Sequence, residues 1–329
     1  MRARCAPEIA LEENPGARLG IKIAAHACEG RDKLTFVISR PIAAFGDWVE
    51  QLIAESTGKA GVGIVPVVGE SLRDPSCYGN DRVFVDIRLR GDGEGVAAID
   101  ELAQGAPVLR FGVEDATHLG AQIFLWEFAV AVAGHVLGVN PFDQPNVEES
   151  KRLAREMTSV YRETGGFPED EQDVASTREL REFVTGAKQG AYIAVHAYVP
   201  SSPPVREALS ELRDWIRDAS GCATTVGFGP RFLHSTGQLH KGDGGNGRFV
   251  QLTCRAATDV PIPDEAGSPA TSIGFDVLKS AQALGDARAL CAAGRRLLRL
   301  DLGEAPENAL RALVTELTTR SDGGHHGAR

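Results

Sequence analysis

Residues 34–68 (LTFVISRPIAAFGDWVEQLIAESTGKAGVGIVPVV) contain two apolar extended runs separated by a helical pattern. The first run, residues 34–38, has the length and apolar character of a buried strand. Apolar side chains then recur at helical spacing through residues 45–56, and Gly58 follows as a stop signal. A second extended run occupies residues 63–68. A strand, a helix and a strand in this order are typical of a parallel sheet covered by helices.

The same alternation continues on both sides of this stretch. The Asn14-Pro15 pair opens a predicted helix that ends near Gly30, with proline at its start and glycine past its end. Further strands are predicted at residues 83–89 and 108–112, and further helices at residues 95–104, 118–137 and 144–162. The first half of the chain is therefore predicted to be an α/β domain with a parallel sheet and helices on both faces.

The second half has a different predicted order. Residues 164–173 are rich in glycine, proline and acidic residues, which is typical of a domain boundary. Beyond them, strands are predicted at 191–199, 224–228, 248–254 and 297–302, and helices at 205–219, 275–293 and 308–319. The order βαββαβ predicts a smaller α+β domain of the ferredoxin-like type. Residues 321–329, which include His325 and His326, are expected to be a disordered tail.

Composition excludes several classes of protein. With 43% apolar and 24% charged residues the chain resembles soluble globular proteins, and a net charge of −10 argues against nucleic acid or anionic membranes as partners. The most apolar stretch, residues 124–139, is interrupted by Glu127 and His135, so it is interpreted as a core helix. The six cysteines show no zinc or disulfide spacing, which favours a reducing, cytoplasmic location and no metal or other cofactor.

Glu55 is the first candidate site residue. It continues the apolar spacing of Trp48 and Leu52 and lies near a helix C-terminus, where the helix dipole disfavours a negative charge. Both effects would make its carboxylate a stronger base, as a general base requires. The structural alternative is an ordinary helix-end ion pair between Glu55 and Lys59.

Two further features stand out. Lys151 falls on the apolar stripe of its helix, where lysine is uncommon unless it is paired or reaches solvent. It could serve an anionic ligand, or it could simply lie at the edge of the stripe. Residues 227–242 (GFGPRFLHSTGQLHKG) join two predicted strands by a loop far longer than a hairpin turn and dense in polar groups. Such loops are usually functional, and these residue types suit a sugar with a negatively charged group.

Several of these segments together resemble glucose-6-phosphate isomerase, in the form found in actinobacteria and in bifunctional transaldolase/isomerase chains. The runs that carry the resemblance are long, and it extends through the ALGDARAL run and residues 297–302. They are residues 13–20 (ENPGARLG), 30–35 (GRDKLT), 45–59 (FGDWVEQLIAESTGK), 63–70 (GIVPVVGE), 124–151 (FLWEFAVAVAGHVLGVNPFDQPNVEESK) and 228–242 (FGPRFLHSTGQLHKG).

The resemblance implies a fold and a domain plan. The family is built from a pair of sugar-isomerase (SIS) domains, each a flavodoxin-like, three-layer α/β/α sandwich. By resemblance, residues 13–163 form the second SIS domain after an N-terminal extension at 1–12. Residues 164–175 would be a linker, and residues 176–320 the C-terminal ferredoxin-like domain.

The resemblance also implies a reaction and roles for the candidates. It implies aldose–ketose interconversion of glucose 6-phosphate and fructose 6-phosphate through a cis-enediol(ate), within glycolysis and gluconeogenesis. Glu55 would transfer the proton between C1 and C2, and His234 and Lys151 would open the ring, with His240 in reserve for His234. The remaining positions that we expect to contact substrate are Lys59, Arg231, Ser235, Thr236, Gln238, His240 and Lys241.

One expected part of the family is missing from the sequence pattern. No Ser/Thr- and Gly-rich phosphate loop of the first SIS domain is recognisable, and Asp243 interrupts the usual HKGG run. We therefore expect an oligomer, or a complex with a chain that supplies the first SIS domain. The alternatives are an inactive truncated isomerase and a non-catalytic, regulatory sugar-phosphate-binding protein of the SIS type.

Overall fold

The computed structural model describes residues 1–168 and 175–319, without the side chains of Val147 and His234. Half of the predicted linker, residues 169–174, and the whole predicted tail therefore lie outside the described residues. The chain forms two compact units. The first contains Met1–Asn146, Gly221–Ala223 and His234–Asn246, and the second contains the remaining described residues. The division after Asn146 precedes the predicted boundary, so the helix that begins at Val147 belongs to the second unit.

The first unit is an α/β domain whose helices and strands follow the predicted order. Its four-stranded sheet has the order β2-β1-β3-β4, and every neighbouring pair is parallel. Its elements are α1 (Pro15–Cys28), β1 (Lys33–Ile38), α2 (Ala44–Thr57), β2 (Val65–Val68), β3 (Arg82–Leu89), α3 (Val96–Leu102), β4 (Val108–Val113) and α4 (Leu119–Leu137).

Helices cover both faces of this sheet, as the sequence predicts. Alternate residues of a strand point to opposite faces, so Val83 and Val85 face one layer and Phe84 the other. Val83 and Val85 pack in a large core with residues of α1, α2 and α4. Phe84 packs with Ile99 and Leu102 of α3. The three-layer α/β/α arrangement is therefore present in this unit.

Local signals explain where α1 begins. The side chain of Asn14 accepts hydrogen bonds from the backbone N–H groups of Gly16 (3.1 Å) and Ala17 (3.0 Å). Pro15 occupies the first helical position, where its missing N–H costs nothing. The predicted helix start at Asn14-Pro15 is confirmed.

α4 is the most apolar helix of the chain. Among the described residues, the stretch Ala116–Leu137 is the one helical segment long and apolar enough to cross a membrane, with a mean hydropathy of 1.4. Its residues Trp126, Ala129 and Ala133 are fully buried in the first unit. Helix α4 therefore packs as the core helix that the sequence predicts.

The second unit also contains a parallel sheet, which corrects the ferredoxin-like prediction. The order is β10-β7-β5-β6, and the β10–β7 and β5–β7 pairs are parallel. The elements after the first unit are α5 (Val147–Thr164), α6 (Thr177–Thr185), β5 (Tyr192–Tyr198), α7 (Pro203–Ser220), β6 (Ala223–Phe228), α8 (Thr236–Gly242), β7 (Gly247–Thr253), β8 (Pro261–Ile262), β9 (Ile273–Gly274), α9 (Phe275–Ala292), β10 (Arg296–Asp301) and α10 (Pro306–Thr319). Helix α8 is grouped with the first unit.

A ferredoxin-like sheet needs antiparallel neighbours and a hairpin between its second and third strands. Here β6 and β7 are not neighbours, because β5 lies between them. The segment that joins them contains helix α8 in place of a hairpin turn. In both units the first strand therefore lies between the second and the third, and the two sheets share one strand order.

Candidate functional site

Glu55 lies in the last turn of α2. It is half-buried and follows Trp48 and Leu52 along the helix side that is partly covered, next to the fully buried residues Val49 and Ile53. Among the described residues its carboxylate has a hydrogen bond from the side-chain amide of Gln51 (3.4 Å) and no ion pair. The geometry leaves the carboxylate partly open to solvent.

Lys59 is buried just beyond the end of α2, with 3% exposure. Its ammonium group donates hydrogen bonds to the carbonyl oxygens of Asn140 (2.8 Å) and Asp143, and it pairs with the carboxylate of Asp143 at 3.1 Å. The alternative ion pair between Glu55 and Lys59 is not formed. Through these hydrogen bonds and this ion pair, Lys59 instead joins the segment around residues 140–143 to the turn after α2.

Gln238 of α8 holds the same turn from the other side. Its side-chain amide donates hydrogen bonds to the carbonyl oxygen of Gly58 (2.8 Å) and to Asn146 Oδ1 (2.7 Å). Its own oxygen accepts a hydrogen bond from the backbone N–H of Asn146 (2.9 Å). Because Gln238 is fully buried and these groups satisfy it, the side chain has a structural function in this geometry.

The polar segment after β6 is not an open loop. It forms a 3-10 turn at Arg231–His234 and then α8, whose residues are all buried. Ser235, Thr236, His240 and Lys241 are each less than 9% exposed, and the Lys241 ammonium donates to the carbonyl oxygen of Gly237 (3.3 Å). The predicted long polar loop is therefore largely packed structure.

The candidates are divided between the two units. The first unit contains Glu55 with Lys59 and the α8 residues, and α2 packs directly against α8. Arg231 and Lys151 belong to the second unit. The backbone of His234 ends the 3-10 turn, and its side chain is outside the described part.

Lys151 lies at the edge of the buried stripe of α5. Its side chain is 37% exposed and pairs with Glu148 one turn earlier at 2.8 Å. The neighbouring positions Ser150 and Leu153 are buried. Lys151 therefore lies at the edge of the stripe, with its ammonium group partly exposed to solvent.

Sequence reasoning missed a crevice of about 960 Å³ at the carboxyl ends of β1, β2 and β3. Its polar lining includes Ser39, Arg40, Asp47, Arg88 and Asp92, and none of the predicted site residues is in its described lining. Parallel α/β sheets bind ligands at such a position, between strands whose connections run in opposite directions. The strand order alone could have indicated this crevice.

The described residues offer no obvious metal site. Residues 1–168 and 175–319 contain no group of three or more His, Cys, Asp or Glu side chains arranged to hold an ion. The six cysteines, all of which lie in these ranges, form no disulfide bond.

We expect Gly58→Ala to destabilise the first unit and to displace the end of α2. A Cβ atom at Gly58 would lie 2.6 Å from the Leu239 Cβ and closer still to its backbone, so the helices must separate. Overpacking of this kind costs about 1–3 kcal/mol. The measurement is the urea unfolding midpoint, with Gly105→Ala as the control because a Cβ there meets nothing within 4 Å. An equal effect of both substitutions would contradict the close packing of α2 and α8.

Comparison with known proteins gives a partial match. No family model matches the chain. Glucose-6-phosphate isomerase from Lactobacillus helveticus is 29% identical over 147 residues, which are 33% of this chain and 33% of the relative. The enzyme of that name from Symbiobacterium thermophilum is 29% identical over 181 residues, 43% of this chain and 40% of the relative. The chain thus matches 33 to 40% of the length of these two relatives.

Solved structures are only distantly similar. A hypothetical protein from Thermus thermophilus superimposes with a TM-score of 0.35 and 13% identity, over 94% of this chain and 85% of that one. The C-terminal domain of glucosamine-fructose-6-phosphate aminotransferase from Francisella tularensis gives a TM-score of 0.27 and 11% identity, over 97% and 89%. The structure shows an α/β protein with two parallel sheets. The sequence comparison shows that a segment of this chain is similar to glucose-6-phosphate isomerases.

Proposed function

We propose that this chain is an aldose–ketose isomerase of the glucose-6-phosphate isomerase type, which interconverts glucose 6-phosphate and fructose 6-phosphate. The observation that carries the proposal is Glu55. It is a partly open carboxylate at the end of α2, without a cationic partner among the described residues, beside a turn that Lys59 and Gln238 hold rigid. The similarity to named isomerases supports the choice of reaction.

In the proposed reaction, His234 and Lys151 first open the sugar ring. One takes the proton of the C1 hydroxyl group, and the other gives a proton to the ring oxygen. Glu55 then removes the C2 proton of the open aldose, which leaves a cis-enediolate. A proton passes from O2 to O1, and Glu55 returns its own proton to C1 to form the ketose. Arg231 or Lys151 stabilises the negative charge that develops on the enediolate oxygen.

The other predicted contacts receive different functions in this proposal. Lys59 and Gln238 position Glu55 indirectly, since their polar atoms are engaged by Asn140, Asp143, Gly58 and Asn146. Ser235, Thr236, His240 and Lys241 support the same turn from buried positions in and beside α8. Arg231, which is exposed, remains the proposed cation for the substrate.

We further propose that a partner completes the site, either a second copy of the chain or a chain with an SIS domain that binds the substrate phosphate. The segment around residues 140–143, which is bound by Lys59, supports the proposal of a partner surface, because its Phe142 is 85% exposed. Phe142 is the most exposed large apolar side chain among the described residues.

The test is a coupled assay that follows conversion of fructose 6-phosphate to glucose 6-phosphate. The chain is assayed alone and mixed with a candidate SIS chain, and we expect turnover in at least one of the two conditions. Light scattering on the same samples reports whether a complex forms. Binding of a sugar-phosphate analogue without turnover in either condition would contradict the isomerase proposal and favour a non-catalytic binding protein.

A further inference from the structure

The second unit contains a buried polar cluster that the proposed mechanism does not use. Strands of a parallel sheet are normally apolar because helices cover both faces. Yet β5 carries His196 (1% exposed) and Tyr198 (0%), and α9 carries Asp286 (0%) in the ALGDARAL run. His196 Nδ1 lies 3.2 Å from Asp286 Oδ2. Burying these groups costs free energy, so their presence needs a reason.

The segment of residues 229–233 packs on this cluster. The ring of Phe232 lies over His196, with centroids 4.1 Å apart, and meets Tyr198 edge-on at 5.4 Å. Phe232 and Leu233 form a buried cluster with Tyr198 and Ala283. Residues 229–233 therefore pack directly on the side chains of His196 and Tyr198.

The backbone of the segment is also fixed. The Gly229 N–H donates to the carbonyl oxygen of Ala197 in β5 (3.0 Å), and the Leu233 N–H donates to that of Pro230 (3.0 Å). A Cβ at Gly229 would lie 2.6 Å from the ring of Tyr198, so ring and backbone are in direct contact. Arg231 is the exposed residue between these anchored positions.

A row of polar groups also joins α9, the helix of Asp286, to the neighbouring strands. Gln251 of β7 donates to the carbonyl oxygen of Ala283 in α9 (3.0 Å) and accepts from Arg299 of β10 (2.9 Å). Burial, and then the negative charge of Asp286, raise the pKa of the Tyr198 hydroxyl well above its usual range. The tyrosine therefore stays neutral and serves as packing, while the carboxylate pairs with His196.

We infer that Asp286 and His196 are positioning residues, which act through Phe232 to hold the turn that presents Arg231 to the substrate. Asp286 fixes the plane of the His196 ring, and that ring fixes Phe232. His234 directly follows Leu233, so the same contacts also fix the backbone immediately before His234. The inference rests on the proposed function, because it assumes that Arg231 contacts a substrate. The positioning of residues 229–233 can be measured without turnover.

The first test is hydrogen exchange of the full chain. Asp286→Asn preserves size but removes the charge that orients His196, and Phe232→Leu removes the ring contact while it leaves the pair intact. We expect the Gly229 and Leu233 amides to exchange about tenfold faster or more in both variants. Leu310→Ala, at a fully buried position of α10, is the control for general destabilisation. Exchange no faster than in the wild type, or an equal increase in the Leu310→Ala control, would overturn the inference.

The second test is a double-mutant cycle on the isomerisation kinetics. Arg231→Met and Asp286→Asn should each raise KM by about tenfold to hundredfold, as expected for loss of a hydrogen bond to a charged group. In the Arg231→Met background, Asp286→Asn should have no further effect on KM. Additive effects would contradict action through Arg231. If the wild-type protein shows no turnover either alone or with a candidate partner chain, the proposed function fails, and the exchange comparison still decides the positioning claim.

Discussion

Glu55→Gln is expected to lower kcat for fructose 6-phosphate isomerisation by about 10²- to 10⁴-fold, the usual contribution of a general base. Glutamine has nearly the same shape and can keep the contact with Gln51, but it cannot accept the C2 proton. KM should change little, since the substitution removes an interaction made mainly in the transition state. The measurement is steady-state kinetics under the conditions in which the wild type turns over.

The matched control is Glu50→Gln on the same helix. It removes the same charge from α2 without touching the proposed base, so kcat should stay within a few-fold of the wild type. Circular dichroism spectra of both variants check that the fold is retained. Wild-type rates for Glu55→Gln, or equal losses for both variants, would show that Glu55 is not the base.

The second large effect concerns stability. Arg82 at the start of β3 forms a two-pronged ion pair with Glu70, at 2.9 Å and 3.2 Å, and both side chains are fully buried. Arg82 also donates to the hydroxyl group of Thr35 (2.7 Å). Glu70→Gln leaves the guanidinium charge buried without its counter-ion, and breaking such a pair costs about 3–5 kcal/mol. The free energy of unfolding of the first unit should fall by that amount.

Urea unfolding followed by tryptophan fluorescence measures this loss. Arg40→Met is the control, because Arg40 pairs with Glu94 at 2.7 Å but the two side chains are 84% and 60% exposed. Removing an exposed pair typically costs about 0–1 kcal/mol. A loss for Glu70→Gln no larger than that for Arg40→Met would contradict the importance of the buried pair.

The fold of the first unit was predictable because its signals are local. Each strand is a short apolar run, each helix has its own start or stop, and the alternation implies a parallel sheet. The second unit was predicted with the wrong sheet because of one segment. Residues 236–242 contain Gly237, Gly242 and mostly polar side chains, so they resemble a loop, yet their partners are buried groups far away in sequence. Without α8, the sequence pattern predicts an elongated hairpin between β6 and β7.

The positions of the candidate residues in the fold were predictable to a similar degree. The spacing of Glu55 from Trp48 and Leu52 places it correctly at the half-buried end of α2. Lys59 and Gln238 were expected to face substrate because their residue types suit a sugar. Their actual partners, Asn140, Asp143 and Asn146, are contributed by a distant segment, which no local pattern reveals. No local sequence pattern predicts the buried pair of Asp286 and His196 either, since it forms only when α9 packs on β5.

The central claim is that this chain transfers a proton between C1 and C2 of a sugar phosphate by means of Glu55. The most direct measurement is proton NMR of fructose 6-phosphate incubated with the protein in deuterated water, with the partner chain present if turnover requires it. The account predicts that solvent deuterium enters C2 of the glucose 6-phosphate formed and C1 of the recovered ketose, with the wild type and with Glu50→Gln but not with Glu55→Gln. Incorporation that persists undiminished in Glu55→Gln, or none with the wild type, would contradict it.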